Sequence, residues 1–265
     1  MHSIIHTLNI KQKGILSFVG AGGKTTLMFR IAEELARADR RILVTTTTKI
    51  FAPDKKKYPH LLVTKSKQDL QDRAEMIFRR SNLIVAASHH CPKTNKLIGF
   101  SPEVVDSLWQ SGCFRWILVE ADGSARKPIK APGEHEPVIP RYTRYLFGLI
   151  GLQGLGKPLD EHYVHRVKQF QEITGLAVGS DIELSAITAL VNHKNGLFKK
   201  CPGEAQTIVF MNQADTLPNP DVRKSIVKQM RQSLLDMADI VAIGQADKAD
   251  GIIEAYCKAS LKESL

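Results

Sequence analysis

Apolar runs alternate with amphipathic stretches along most of the chain. Residues 14–19, "GILSFV", are apolar at successive positions, which predicts a strand buried on both faces. From Lys24 to Ala38 the period changes. Leu27, Met28, Ile31 and Leu35 recur on one helical face, and Arg30, Glu33, Glu34 and Arg37 lie mostly off it. The alternation continues, with strands expected at 41–48, 60–64, 82–88, 96–100, 115–122, 145–152, 207–212 and 239–244. Helices are expected near 67–80, 102–110, 160–173, 181–193 and 220–237, and in the tail. The run at 96–100 is expected to form a hairpin with 82–88 across the turn signal at 92–95. Doubly apolar strands separated by amphipathic helices imply an α/β fold, a mostly parallel sheet with helices on both faces.

No internal repeat or linker divides residues 1–265, so one domain is expected. Residues 123–140, "GSARKPIKAPGEHEPVIP", form a Pro-, Gly- and charge-rich inserted loop after the 115–122 strand. Long loops at strand ends often carry function.

Composition narrows the classes. A 43% hydrophobic and 24% charged chain supports a packed core. No apolar run reaches the roughly 18 residues of a membrane span. The start, "MHSIIHTLNIKQKG", lacks a signal-peptide layout, so a cytoplasmic protein without membrane partners is expected. The net charge of +10 attracts polyanions. Only 6% of residues are aromatic and no nucleic-acid module is visible, so nucleotides are a better match than nucleic acid. Four widely spaced cysteines read as plain thiols. His89-His90-Cys91 has no second ligand pair at metal spacing, and His162 with His165 reads as a surface pair on a helix.

The strongest chemical signal is "SFVGAGGKTTLMFR", residues 17–30. A strand runs into Gly20, Ala21, Gly22 and Gly23, and a helix opens at Lys24, Thr25 and Thr26. Free amides and the positive dipole end of that helix favour an anion. Glycines allow the backbone to curl closely around it. Lys24 is expected at the β- and γ-phosphates and the Thr25 hydroxyl at Mg2+. The loop is shorter than the standard phosphate loop. Its pattern G-x-x-G-K-T-T is similar to that of Mur ligases and folylpolyglutamate synthetases, which keeps phosphate binding in play.

Companion motifs extend the site. "WILVEAD" ends in Glu120 and Asp122, two apart and therefore on one strand face. Glu120 is the first choice to hold Mg2+ or orient an attacking water, with Asp122 as second candidate. The threonines and Lys49 of "TTTTKIF" read equally as strand residues or as phosphate contacts. Asn212-Gln213-Ala214-Asp215 resembles the guanine-reading N-K-x-D element of GTPases. Asp215 would accept from guanine, and Gln213 in the lysine place leaves adenine open, so GTP is the expected cofactor and ATP the alternative. The strand end at 241–246 is a candidate backbone contact to the base. Arg126 in the long loop is a candidate built-in arginine finger.

Taken together, "VGAGGKTTLMFRIAEELARADRRILVTTTTKIF", "VEADGSARKPIKAPGEHEPVIP", "VHRV" and "NQAD" resemble the YqeC family. That resemblance implies a nucleotide-binding accessory protein in maturation of a selenium-dependent molybdenum hydroxylase, with the hydroxylase as client. An ATP-dependent transferase or ligase that activates a small substrate is the competing expectation.

Overall fold

The computed structural model describes residues 3–248 and 251–258. In chain order the elements are α1 (Ile4–Thr7), β1 (Gly14–Gly20), α2 (Lys24–Ala38), β2 (Ile42–Thr46), β3 (Lys49–Phe51), β4 (Leu61–Val63), α3 (Lys67–Ile77) and β5 (Leu83–Ala87). There follow β6 (His89–Cys91), β7 (Lys96–Ile98), α4 (Pro102–Gln110), β8 (Trp116–Glu120), β9 (Ile129–Lys130), β10 (Thr143–Gly151) and β11 (Val164–His165). The last are α5 (Val167–Thr174), α6 (Leu184–Asn192), β12 (Gln206–Asn212), α7 (Pro220–Leu234), β13 (Ile240–Gly244) and β14 (Ile252–Cys257).

Among the described residues the central sheet has nine strands in the order β14-β13-β12-β10-β1-β8-β2-β5-β4. Every pairing in it is parallel except β13 with β14. The expected α/β architecture is therefore present. Successive β1 side chains go to opposite faces: Leu16 and Phe18 join the core under α1 and α2, and Ile15 and Val19 join cores under the other helices. On that second face α3 and α4 cover one half and α5, α6 and α7 the other. Leu27, Met28, Ile31 and Leu35 of α2 are all buried, as their spacing implies. Each such side chain contributes about 1.5–3 kcal/mol of burial free energy.

Four expectations are corrected. The tail after 244 is not helical through 257: β14 is an antiparallel strand on β13, and Ile252, Ile253 and Tyr256 suit a strand better than a helix. The rest of the tail lies outside the described residues. The helix expected from 160 begins only at Val167, because Asp160 accepts from the amides of His162 and Tyr163 and holds a turn there. His165 is then a β11 residue, paired in register with Lys130, and not a helical neighbour of His162. The hairpin partner of β7 is β6 rather than β5, and β3 joins them in a separate three-stranded sheet.

The 123–140 segment is not an appendage. Ile129 to Gly133 are buried, β9 pairs with β11, and the Val138 amide donates to Ala121 O at 2.9 Å. The segment closes over the C-terminal ends of β1, β8 and β10, where the glycine loop lies.

Candidate functional site

β1 sits between β8 and β10, so its carboxyl end opens between Glu120 on one side and Leu149 to Gly151 on the other. There the chain turns through Gly20, Gly22 and Gly23 at φ of +87°, +81° and +113°. Side-chain-bearing residues rarely adopt such values. Gly22 also lies flat on β10: a Cβ there would stand 2.3 Å from Gly151 N.

The loop amides are largely committed. Gly20 N donates to Asp122 Oδ2 (3.0 Å), Ala21 N to Leu149 O (2.9 Å) and Gly22 N to Lys127 O (3.2 Å). The open donors therefore lie later than the glycine pattern implies. α2 has Gly23 as its N-cap and no side-chain cap, whereas Ser66, Ser101 and Asn219 cap α3, α4 and α7. The first bond of α2 runs from Leu27 N to Gly23 O, so the amides of Lys24, Thr25 and Thr26 have no intrahelical acceptor. Thr25 and Thr26 are exposed.

Lys24 is buried and turned inward. Its ammonium donates to Gly20 O at 2.7 Å and sits 3.1 Å from Asp122 Oδ1 and 3.7 Å from Glu120 Oε1. Burial alone would lower its pKa, but Asp122, and then Glu120, outweigh that and hold it above the ordinary value. The Glu120 pKa is raised: burial pushes it up, Lys24 and the Thr25 hydroxyl offset part of this, and Asp122 adds repulsion. Thr25 Oγ1 donates to Glu120 Oε2 at 2.7 Å, bringing together the two residues expected at Mg2+. Asp122 faces two ammonium groups instead, with Lys130 Nζ 2.9 Å from Oδ2.

Lys130 extends this cluster to residues outside the phosphate-loop and acid-strand motifs. It also sits 2.6 Å from Glu136 Oε2, and Glu136 pairs in turn with Arg166. The chain of alternating charge is Glu120, Lys24, Asp122, Lys130, Glu136, Arg166. Burial would raise the Glu136 pKa, yet Arg166 and Lys130 hold it at about 2. The cluster ties the glycine loop to the 123–140 segment and the start of α5.

The other candidates are placed as follows. Thr45 donates to Ala86 O, Thr46 to Glu120 O and Thr47 to Val138 O, so these hydroxyls brace the backbone of β5, of β8 and of the 123–140 segment. Lys49 is exposed on β3. Asn212 spans two loops: Nδ2 donates to Gly22 O (2.7 Å) and Oδ1 accepts from Ala246 N (2.8 Å). The Ala246 amide is thereby occupied. Asp215 is exposed in a short 3-10 turn after β12. Arg126 stacks on Phe51, its guanidinium carbon 4.2 Å from the ring centroid. His90 bonds Asn95 within the hairpin. Among the described residues no group of three or more His, Cys, Asp or Glu is arranged to hold a metal ion, and no helix is long and apolar enough to cross a membrane.

A parallel sheet whose central strand enters a glycine turn and an uncapped helix defines a P-loop NTPase-like α/β protein. The family model for the YqeC protein matches residues 16–168, from β1 into α5. The chain is also similar to the "Uncharacterized protein YqeC" of Escherichia coli (strain K12), with 36% identity over 224 residues, 84% of each chain. The chain belongs to the YqeC family.

Proposed function

We propose that the protein binds a nucleoside triphosphate, GTP or ATP, with Mg2+ at the start of α2, and hydrolyses it slowly as a maturation factor. The observation that carries this reading is the exposed, uncapped first turn of α2 beside the Thr25–Glu120 pair. Three open amides and the helix dipole suit a phosphate tail. The Thr25 hydroxyl and the Glu120 carboxylate are hard oxygen donors of the kind Mg2+ takes, with phosphates and waters completing its shell. These two residues would hold the ion, which when bound would neutralise phosphate charge. Asp122, already facing Lys24 and Lys130, is better suited to hold the loop through Gly20 N.

Lys24 enters by exchange. Its ammonium leaves Asp122 and Gly20 O for the phosphate, while Asp122 keeps Lys130 and the Gly20 amide as partners. Turnover is expected to be slow until a partner completes the site; Arg126, the candidate arginine finger, is stacked on Phe51. The selenium-dependent molybdenum hydroxylase as client rests on the resemblance drawn from the sequence.

The test is equilibrium binding of GTP and ATP, with and without Mg2+, to the wild type, Lys24→Ala and Thr25→Val. Thr25→Val keeps the side-chain shape and removes only the hydroxyl. The reading expects Mg2+ to strengthen binding to the wild type, that gain to vanish in Thr25→Val, and binding to collapse in Lys24→Ala. Equal weak binding in all three proteins rejects it.

A further inference from the structure

A groove of about 740 Å³ runs along the exposed side of α2. It opens at Thr25 and Thr26, in the same turn whose amides lack intrahelical acceptors, and passes Phe29 one turn further on. One wall is the segment from Phe51 to Tyr58 and the other is Ala246 to Lys248. Arg30 fixes the second wall to the helix by donating to Ala246 O at 3.0 Å. The first wall carries two aromatic rings. Tyr58 is buried against Phe29 with ring centroids 4.3 Å apart, whereas Phe51 stays 43% exposed although Arg126 stacks on it and the Lys96 ammonium lies 5.1 Å from its centroid. The volume is that of a small-molecule site, and the lining mixes these rings with charged side chains of both signs, among them Glu33, Asp54 and Lys57.

The direction of a bound triphosphate decides what this groove receives. Lys24 and Thr25 take the β- and γ-phosphate end, so the remainder of the nucleotide leaves past Thr26. Beyond Thr26 lies the groove. Asp215 does not line it. Asn212 is held as a brace between two loops, Nδ2 donating to Gly22 O and Oδ1 accepting from Ala246 N, and it does not line the groove.

We propose that the groove beside α2 receives the nucleoside end of the nucleotide, with the base against Phe51, and that base preference is set there rather than at Asn212–Asp215. This rests on the triphosphate reading above. Exposed aromatic rings stack any base, so discrimination falls to the polar groups of the opposite wall.

The test is photolabelling with the Mg2+ complexes of 8-azido-ATP and 8-azido-GTP, with peptide mapping and inorganic tripolyphosphate as competitor. The same tripolyphosphate and unmodified ATP and GTP are titrated into the wild type and Phe51→Ala. The expected label falls in 51–58 or 246–248 and is suppressed by tripolyphosphate. Phe51→Ala is expected to weaken nucleotide on the order of tenfold and leave tripolyphosphate affinity unchanged. Tripolyphosphate-sensitive label at the peptide carrying Asp215, or unchanged nucleotide affinity in Phe51→Ala, overturns the groove assignment while sparing the phosphate site. No binding of tripolyphosphate and labelling insensitive to it overturn the triphosphate reading, and this inference with it.

Discussion

Asp122→Asn probes the buried charge cluster with little change of shape. The cluster holds three cations, Lys24, Lys130 and Arg166, and three carboxylates, Glu120, Asp122 and Glu136. Asp122 is 1% exposed and faces two of the cations at 3.1 and 2.9 Å. Removing one partner of a buried pair costs about 3–5 kcal/mol, because the other charge is left in a poor solvent. Here both lysines keep a second carboxylate and a carbonyl: Glu120 and Gly20 O for Lys24, Glu136 and Gly123 O for Lys130. The asparagine oxygen can still accept from Gly20 N. The lower end, about 3 kcal/mol, is therefore expected. In a domain of this size that lowers the unfolding midpoint by roughly 6–12 °C. Thermal unfolding followed by circular dichroism reads this directly. The second readout is tripolyphosphate affinity, which should rise because Lys24 loses its strongest competitor for phosphate. An unchanged midpoint would show that the cluster does not hold the loop, and the reasoning would fail.

Gly22→Ala puts a methyl group 2.3 Å from Gly151 N in a backbone with φ of +81°. Strain and overpacking together cost about 2–5 kcal/mol, so lower stability and lost nucleotide binding are expected from thermal unfolding and titration. Glu136 has a folded pKa of about 2 against 4.5 when free. Its contribution to stability is present above pH 4.5 and is lost as the pH falls toward 2, and Glu136→Gln should flatten denaturant midpoints measured across that window. The Cys113 thiol is pushed up to about 11 by burial and then by Glu75, while hydrogen bonds from Thr94 lower that of Cys91. Iodoacetamide at neutral pH should therefore label Cys91 well before Cys113, as peptide mapping would record.

The strand, glycine turn and helix from Gly14 to Ala38 were legible because each is set by local rules: continuous apolar residues, freedom at φ > 0, and a helical apolar stripe. α2 begins and ends where its spacing places it. The β14 strand was not legible, because the choice between strand and helix for so short an apolar run depends on β13 offering an edge. The extension of the charge cluster was also invisible. Lys130 and Glu136 sit in a stretch whose charges look solvated and Arg166 lies far along the chain, and only the closing of 123–140 over the loop buries Lys130 and brings the three together. The inward turn of Lys24 was not legible either: its fixed position in the motif says that it can reach a phosphate, while its resting partners are Glu120 at the end of β8 and Asp122 just past it.

Triphosphate binding at the start of α2 requires Lys24 to change partners. A crystal structure with Mg2+ and a non-hydrolysable triphosphate analogue at saturation measures this directly. The account predicts phosphate oxygens at the amides of Lys24 to Thr26, with the Lys24 ammonium moved from Asp122 onto them. An ammonium still 3.1 Å from Asp122, with no triphosphate at the start of α2, would contradict it.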